Sequence, residues 1–136
     1  MYRIEEKPII IHQDSAVIFE FLSDLNNFGR LLPREVKDWE TDGKECSFTV
    51  SKAGHFRLEI AEATPYSKLE YRSLDNRPFY YDINADIDSR GDSSQVTLYI
   101  NAKMNSMYKM LASKPLKKLL SRVAEELKLL LETDFA

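Results

Sequence analysis

The chain has 136 residues, 43% of them apolar and 30% charged, with a formal net charge of -3. That length suits one domain around one core, and the ordinary balance of apolar and charged residues excludes a disordered or fibrous chain. Both signs of charge are interspersed with no basic stripe, so the electrostatic term that drives nucleic-acid binding is missing. DNA and RNA are not expected as partners.

The N-terminus opens Met1-Tyr2-Arg3-Ile4-Glu5-Glu6, with acids where a signal peptide carries a basic and then an apolar run, which predicts a cytoplasmic protein. Tyr2 to His12 reads as a strand rich in isoleucine, and Pro8 predicts an edge position or a bulge. A helix follows, with Asp14 or Ser15 placed to cap it and Val17, Ile18, Phe21, Leu22 and Leu25 at helical spacing. The stripe runs on to Phe28, Leu31 and Leu32. Asn26-Asn27 and Gly29 are poor helix-interior residues, so two short helices are predicted, with a bend near Asn26 and a stop at Pro33.

From Glu35 to Asn105 the apolar period falls to two, and turns cut the stretch at Asp42-Gly43, Ala53-Gly54, Pro65-Tyr66, Asp75 to Pro78 and Arg90-Gly91-Asp92. Connections this short imply an antiparallel meander. Its apolar sets are Cys46, Phe48 and Val50; Phe56, Leu58 and Ile60; Leu69 and Tyr71; Tyr81, Ile83, Ala85 and Ile87; and Val96, Leu98, Ile100, Ala102 and Met104. The residues between them are mostly polar, so one face meets water and the other needs a cover. Leu116, Leu120, Val123, Leu127 and Leu130 or Leu131 form a helical stripe that supplies it. Pro115 fits the first turn of that helix, which makes Ser106 to Ser113 a separate turn or two with Met107, Met110 and Leu111 at a kink. No apolar run approaches the roughly 20 residues that cross a bilayer as a helix.

This order of elements resembles the helix-grip fold of the START-like superfamily, which includes birch-pollen allergens, START domains and polyketide cyclase/dehydrase-like proteins. The resemblance covers nearly all of residues 1–136 as one domain. It rests on the strand ending Ile9-Ile10-Ile11, the segment Ser15-Ala16-Val17-Ile18-Phe19-Glu20-Phe21-Leu22-Ser23-Asp24, Asn26 to Pro33, Leu69-Glu70-Tyr71 and Ser94-Gln95-Val96-Thr97-Leu98. The expected fold is α+β: a curved antiparallel sheet of six to seven strands around a long C-terminal helix. The resemblance implies an apolar small molecule held between sheet and helix, and in some members a reaction there. The ligand wall would comprise Trp39, Phe48, Phe56, Leu58, Tyr71, Tyr81, Ile83, Leu98, Ile100, Met107 and Leu111, with the tyrosine hydroxyls orienting the ligand. The same aromatic and methionine side chains can instead fill the space, and the sequence leaves both readings open.

General acid/base catalysis needs an ionisable group facing the substrate, and the inward list has only tyrosines, Ser73 and Cys46, so no catalytic residue is assigned. His12 and His55 lack partners at ligand spacing, and no metal or cofactor is expected. Cys46, the single cysteine, reads as a packing residue. Asp86 to Asp92 has the opening spacing of a calcium loop, but Arg90 at its fifth position, Thr97 at its twelfth and flanking strands make it a hairpin turn. The alternating Asp82, Asp86 and Asp88 read as a solvated acidic stripe. Trp39 either roofs the cavity mouth or caps the core beside Phe28 and Leu32. The function expected from the sequence is binding or carrying of a small hydrophobic ligand. The alternatives are a cyclase/dehydratase or hydrolase using the same cavity, and a protein-interaction module with a filled core and an exposed patch of Phe28, Leu31, Leu32 and Trp39. Oligomeric state is not encoded in any readable feature.

Overall fold

A computed structural model describes residues 1–133. The chain opens with β1 (Tyr2–Glu5) and β2 (Ile9–Ile11), then α1 (Ser15–Leu22) and α2 (Leu25–Leu31). The meander is β3 (Lys37–Thr41), β4 (Glu45–Val50), β5 (Gly54–Thr64), β6 (Lys68–Ser73), β7 (Tyr80–Ser89) and β8 (Ser94–Lys103), and α3 (Ser106–Thr133) follows. The eight strands form one antiparallel sheet in the order β1-β8-β7-β6-β5-β4-β3, with β2 also on β8. The expected turns fall between strands, except that Gly54 of the Ala53-Gly54 turn is the first residue of β5. The strand count exceeds the expected six to seven because the stretch around Pro8 breaks the first strand in two, and both halves pair with β8.

The helix boundaries differ in two places. The break after α1 falls at Asp24 and not at Asn26: the Asp24 carboxylate accepts the Asn26 backbone N–H at 2.9 Å, so Asp24 caps α2 and both asparagines lie inside its first turn. Asp14 occupies the N-cap position of α1, but its side chain makes no capping bond. In the C-terminal segment, α3 runs through Pro115 as one helix of 28 residues, about 42 Å long at 1.5 Å per residue. Asn105 caps it, its side-chain oxygen accepting the Tyr108 N–H at 2.9 Å. Ala112 and Leu116 are both buried on the sheet, so packing on either side of Pro115 outweighs the one N–H that Pro115 withholds from the Leu111 carbonyl.

The first strands hold this helix. Lys117 Nζ donates to the Glu5 carbonyl and lies 3.6 Å from the Glu6 carboxylate, which also accepts the Ser121 hydroxyl. Further along, Lys128 Nζ donates to the Ile10 carbonyl, His12 N donates to the Glu132 carboxylate at 2.8 Å, and Gln13 Nε2 donates to the Leu131 carbonyl at 2.8 Å.

The buried stripe of α3 is Ala112, Leu116, Leu119, Leu120, Ala124, Leu127 and Leu131. It faces the alternating apolar residues of β4 to β8. The outer face of the sheet is less open to water than the alternation implies. Asn84 and Tyr99 are buried there: Asp82 accepts from Asn84 Nδ2 at 2.6 Å and Asn101 Nδ2 at 2.9 Å. Lys68 Nζ bridges Asp86 at 3.2 Å and the Tyr99 hydroxyl at 2.8 Å, and the Arg3 guanidinium lies 3.8 Å above the Tyr99 ring. Asp82 and Asp86 are therefore acceptors in a cross-strand network, not members of a free acidic stripe.

Candidate functional site

Alternation along the strands sends Phe48, Phe56, Leu58, Tyr71, Tyr81, Ile83, Leu98 and Ile100 toward α3, where all are buried except the half-buried Ile83. Their rings pack against one another. Trp39 stacks on Phe28 at 6.1 Å, Phe28 meets Phe48 at 5.9 Å and Tyr71 at 5.0 Å, Phe48 meets Phe56 at 5.8 Å, and Phe56 meets Tyr81 at 4.9 Å. Phe79 extends the series from Tyr81 to Tyr108. This aromatic layer takes up the volume between sheet and helix. Two small voids remain, one of about 10 Å³ beside Phe56, Tyr81 and Ile100, and one of about 30 Å³ beside Tyr71, Leu98 and Leu120. Neither holds more than a water or two.

The tyrosine hydroxyls are spent inside the protein. Tyr71 donates to the Leu22 carbonyl at 2.5 Å, and Tyr81 donates to the Arg57 carbonyl at 2.9 Å. Burial pushes both phenols well above their ordinary value, so they stay protonated and keep these bonds. The expected role of orienting a ligand does not fit this geometry. Burial, reinforced by the nearby Glu45, pushes the Cys46 thiol up to about 12. It is a packing group and a poor nucleophile.

Trp39 lies against α2, so close that a Cβ on Gly29 would come within 2.4 to 2.8 Å of the indole atoms. It caps the core beside Phe28, with its other edge on a polar depression of about 740 Å³ between Glu40, Asp42, Glu45 and Arg57. That depression is lined mostly by polar side chains, with Trp39 and Cys46 among them, and its Arg57 already pairs with Glu45 and Asp75, at 3.5 Å each. Phe28 and Leu31 are buried, so the surface patch they were expected to form with Leu32 and Trp39 is absent. Met107 was expected in the ligand wall but is 56% exposed, and its neighbour Met110 is 81% exposed. The continuous helix carries both past the end of the sheet.

Leu111 alone of the expected wall residues lines a large apolar concavity. This groove, of about 560 Å³, opens where α3 crosses the end of the sheet. One bank is Met110, Leu111, Pro115 and Leu119 of α3; the other is Pro33 and Val36 after α2 with Val50 at the end of β4. Its rim carries Glu35, Lys52, Lys114 and Lys118. Leu119 also borders both interior voids, so this one side chain is shared by the groove and the space beneath the aromatic layer. Leu119 lies beside the predicted stripe of Leu116, Leu120 and Val123, and its i+3 spacing from Leu116 is the sequence signal that marks it. Among the described residues no group of histidine, cysteine or carboxylate side chains is placed to hold a metal, and no helix is long and apolar enough to cross a membrane.

A sheet wrapped on one long terminal helix, with two short helices closing one end, is the helix-grip fold. Comparison with solved structures bears this out. The chain is similar to a START superfamily protein from Mycobacterium smegmatis (15% identity, 94% of this chain and 95% of that one, TM-score 0.68). It is similar over 99% of its length to norcoclaurine synthase from Thalictrum flavum, a point mutant in complex with a transition-state analogue (13% identity, 96% of that chain, TM-score 0.78). The Aha1 dimer from Colwellia psychrerythraea matches over the whole of both chains at 13% identity and a TM-score of 0.73. Such identities establish the fold alone. No family model matches this chain, and no curated protein does.

Proposed function

We propose that this protein binds a small hydrophobic molecule in the groove between α3 and the β4–β5 end of the sheet. The observation that carries this reading is a concavity of about 560 Å³ with an apolar floor, within the 300–1,000 Å³ range in which proteins hold small ligands. The ligand enters beside Leu111 and Val36 and rests on Leu119. The aromatic layer beneath is a rigid base, and the residues expected as an inner wall, Phe48, Phe56, Leu58, Tyr71, Tyr81, Ile83, Leu98 and Ile100, support the site from behind. Affinity comes from buried apolar area at roughly 25 cal/mol per Å². The reading is one of binding: the ionisable groups on the rim are Glu35 and three exposed lysines, and neither histidine lines the groove.

Titration with the neutral dye N-phenyl-1-naphthylamine tests it. Saturable fluorescence enhancement at one site is expected, weakened at least about tenfold by Val36→Glu and by Leu111→Glu, since each buries a charge against the ligand. Both variants should keep the native circular dichroism. No enhancement with the native protein, or unchanged binding in both variants, overturns the reading.

A further inference from the structure

The groove is apolar below and cationic above. Lys114 and Lys118 stand one helical turn apart on α3, and Lys52 faces them from the β4–β5 turn; Glu35 is the single acid among the lining residues. Among the described residues none of these three lysines forms an ion pair, unlike Lys117, which is held by Glu6. The imbalance runs against the whole chain, whose net charge is -3. Residues 93–124 contain no aspartate or glutamate but carry Lys103, Lys109, Lys114, Lys117, Lys118 and Arg122.

Two local features of this arrangement are unfavourable for folding. Like charges at i and i+4 repel, which weakens the helix at Lys114 and Lys118. Lys52 adopts a left-handed backbone with φ of 70°, a conformation that residues other than glycine, asparagine and aspartate rarely take. Local penalties that converge on one groove mark a binding site more readily than a packing site.

We infer that the groove takes an amphipathic anion: a single aliphatic chain lying on Leu111, Val36 and Leu119, ended by an anionic head between Lys52, Lys114 and Lys118. The inference rests on the apolar-groove reading above and adds the charge of the ligand. A head at the rim stays partly hydrated, so three flanking cations add specificity without requiring a buried charge.

Displacement of N-phenyl-1-naphthylamine separates the two claims. Dodecanoate, dodecyl phosphate, the neutral 1-dodecanol and cationic dodecyltrimethylammonium are compared below their micelle concentrations. At least one of the two anions should displace the dye at about tenfold lower concentration than the alcohol, and the cation should be weakest. The anion advantage, read in each case as the ratio of anion to alcohol, should fall below about threefold in the double variant Lys114→Gln/Lys118→Gln and in about 0.5 M salt. Which anion leads distinguishes a carboxylate from a phosphate head. Alcohol and anions competing equally, or an anion advantage that persists in the double variant, overturns the anion inference and leaves the apolar groove standing. Failure of every chain to displace the dye overturns the anion inference and leaves the apolar groove standing, whereas failure of the dye to bind overturns both.

Discussion

The Leu22 carbonyl lies at the C-terminal end of α1, where the helix has no further N–H to offer it, and the Tyr71 hydroxyl takes that place. Tyr71→Phe removes the donor and keeps the ring. It is expected to destabilise the fold by about 1–2 kcal/mol, the usual consequence of leaving a buried acceptor unpaired. A lower urea midpoint at unchanged m-value is the readout. Cys46 offers a second check at this scale. With its thiol pushed up to about 12, almost no thiolate exists at pH 8, and the residue is only 3% exposed. Iodoacetamide should label the protein at pH 8 only in denaturant, and rapid native labelling would show that the β3–β4 edge opens. Strand alternation alone placed Tyr71, Tyr81 and Cys46 on the inner face, because period two is a local property. The acceptors of the two hydroxyls were not legible: Leu22 is 49 residues from Tyr71 and Arg57 is 24 from Tyr81, and only the completed fold brings them together.

At the scale of elements, the attachment of α3 to β1 and β2 depends on two carboxylates. Burial tends to raise Glu6, but the Ser121 hydroxyl, the Lys7 N–H and Lys117 outweigh it and hold the carboxyl below its ordinary 4.5. Glu132 is lowered by the His12 N–H and by Lys128. A carboxyl lowered in the folded state contributes its stability fully above the unfolded value, and loses it as pH falls through the lowered folded one. Glu6→Gln is therefore expected to reduce stability by about 1 kcal/mol at pH 7, discounted for solvent screening, with the difference from wild type shrinking as pH falls below the ordinary 4.5 and vanishing below the lowered folded value. Thermal melts at pH 7, 5 and 3 provide the comparison; a constant difference across them would mean that Glu6 acts through packing alone. The amphipathic stripe of α3 was readable over Leu116 to Leu131, since a period of 3.6 needs no partner to be seen. Its N-terminal extension was not, because a proline inside a helix is decided by packing, here of Ala112 and Leu116, which no local rule supplies.

On the scale of the whole molecule, the grip was legible and the volume it encloses was not. Alternating strands, short turns and one long amphipathic helix are pattern features, and they determine the architecture. Whether a space closes depends on how eight aromatic rings, from Trp39 to Tyr108, interlock at about 5–6 Å, which is a property of shapes summed over seven elements. The result is a closely packed interior with small voids and a groove displaced to the open end of the sheet, all of them bordered by Leu119. Leu119 is 5% exposed, so Leu119→Ala removes a buried side chain and is expected to cost about 2–5 kcal/mol, toward the lower end because one side of the site is open to the groove. The same truncation joins the groove to the voids beneath the aromatic layer. An apolar ligand would then bury more of its surface, so affinity for N-phenyl-1-naphthylamine should rise several-fold while the urea midpoint falls. Opposite movement of the two quantities is specific to a partition; a residue that merely packs would lower both. Parallel loss of stability and dye binding in Leu119→Ala would therefore place the ligand on an intact Leu119 surface, with no access to the interior of the fold.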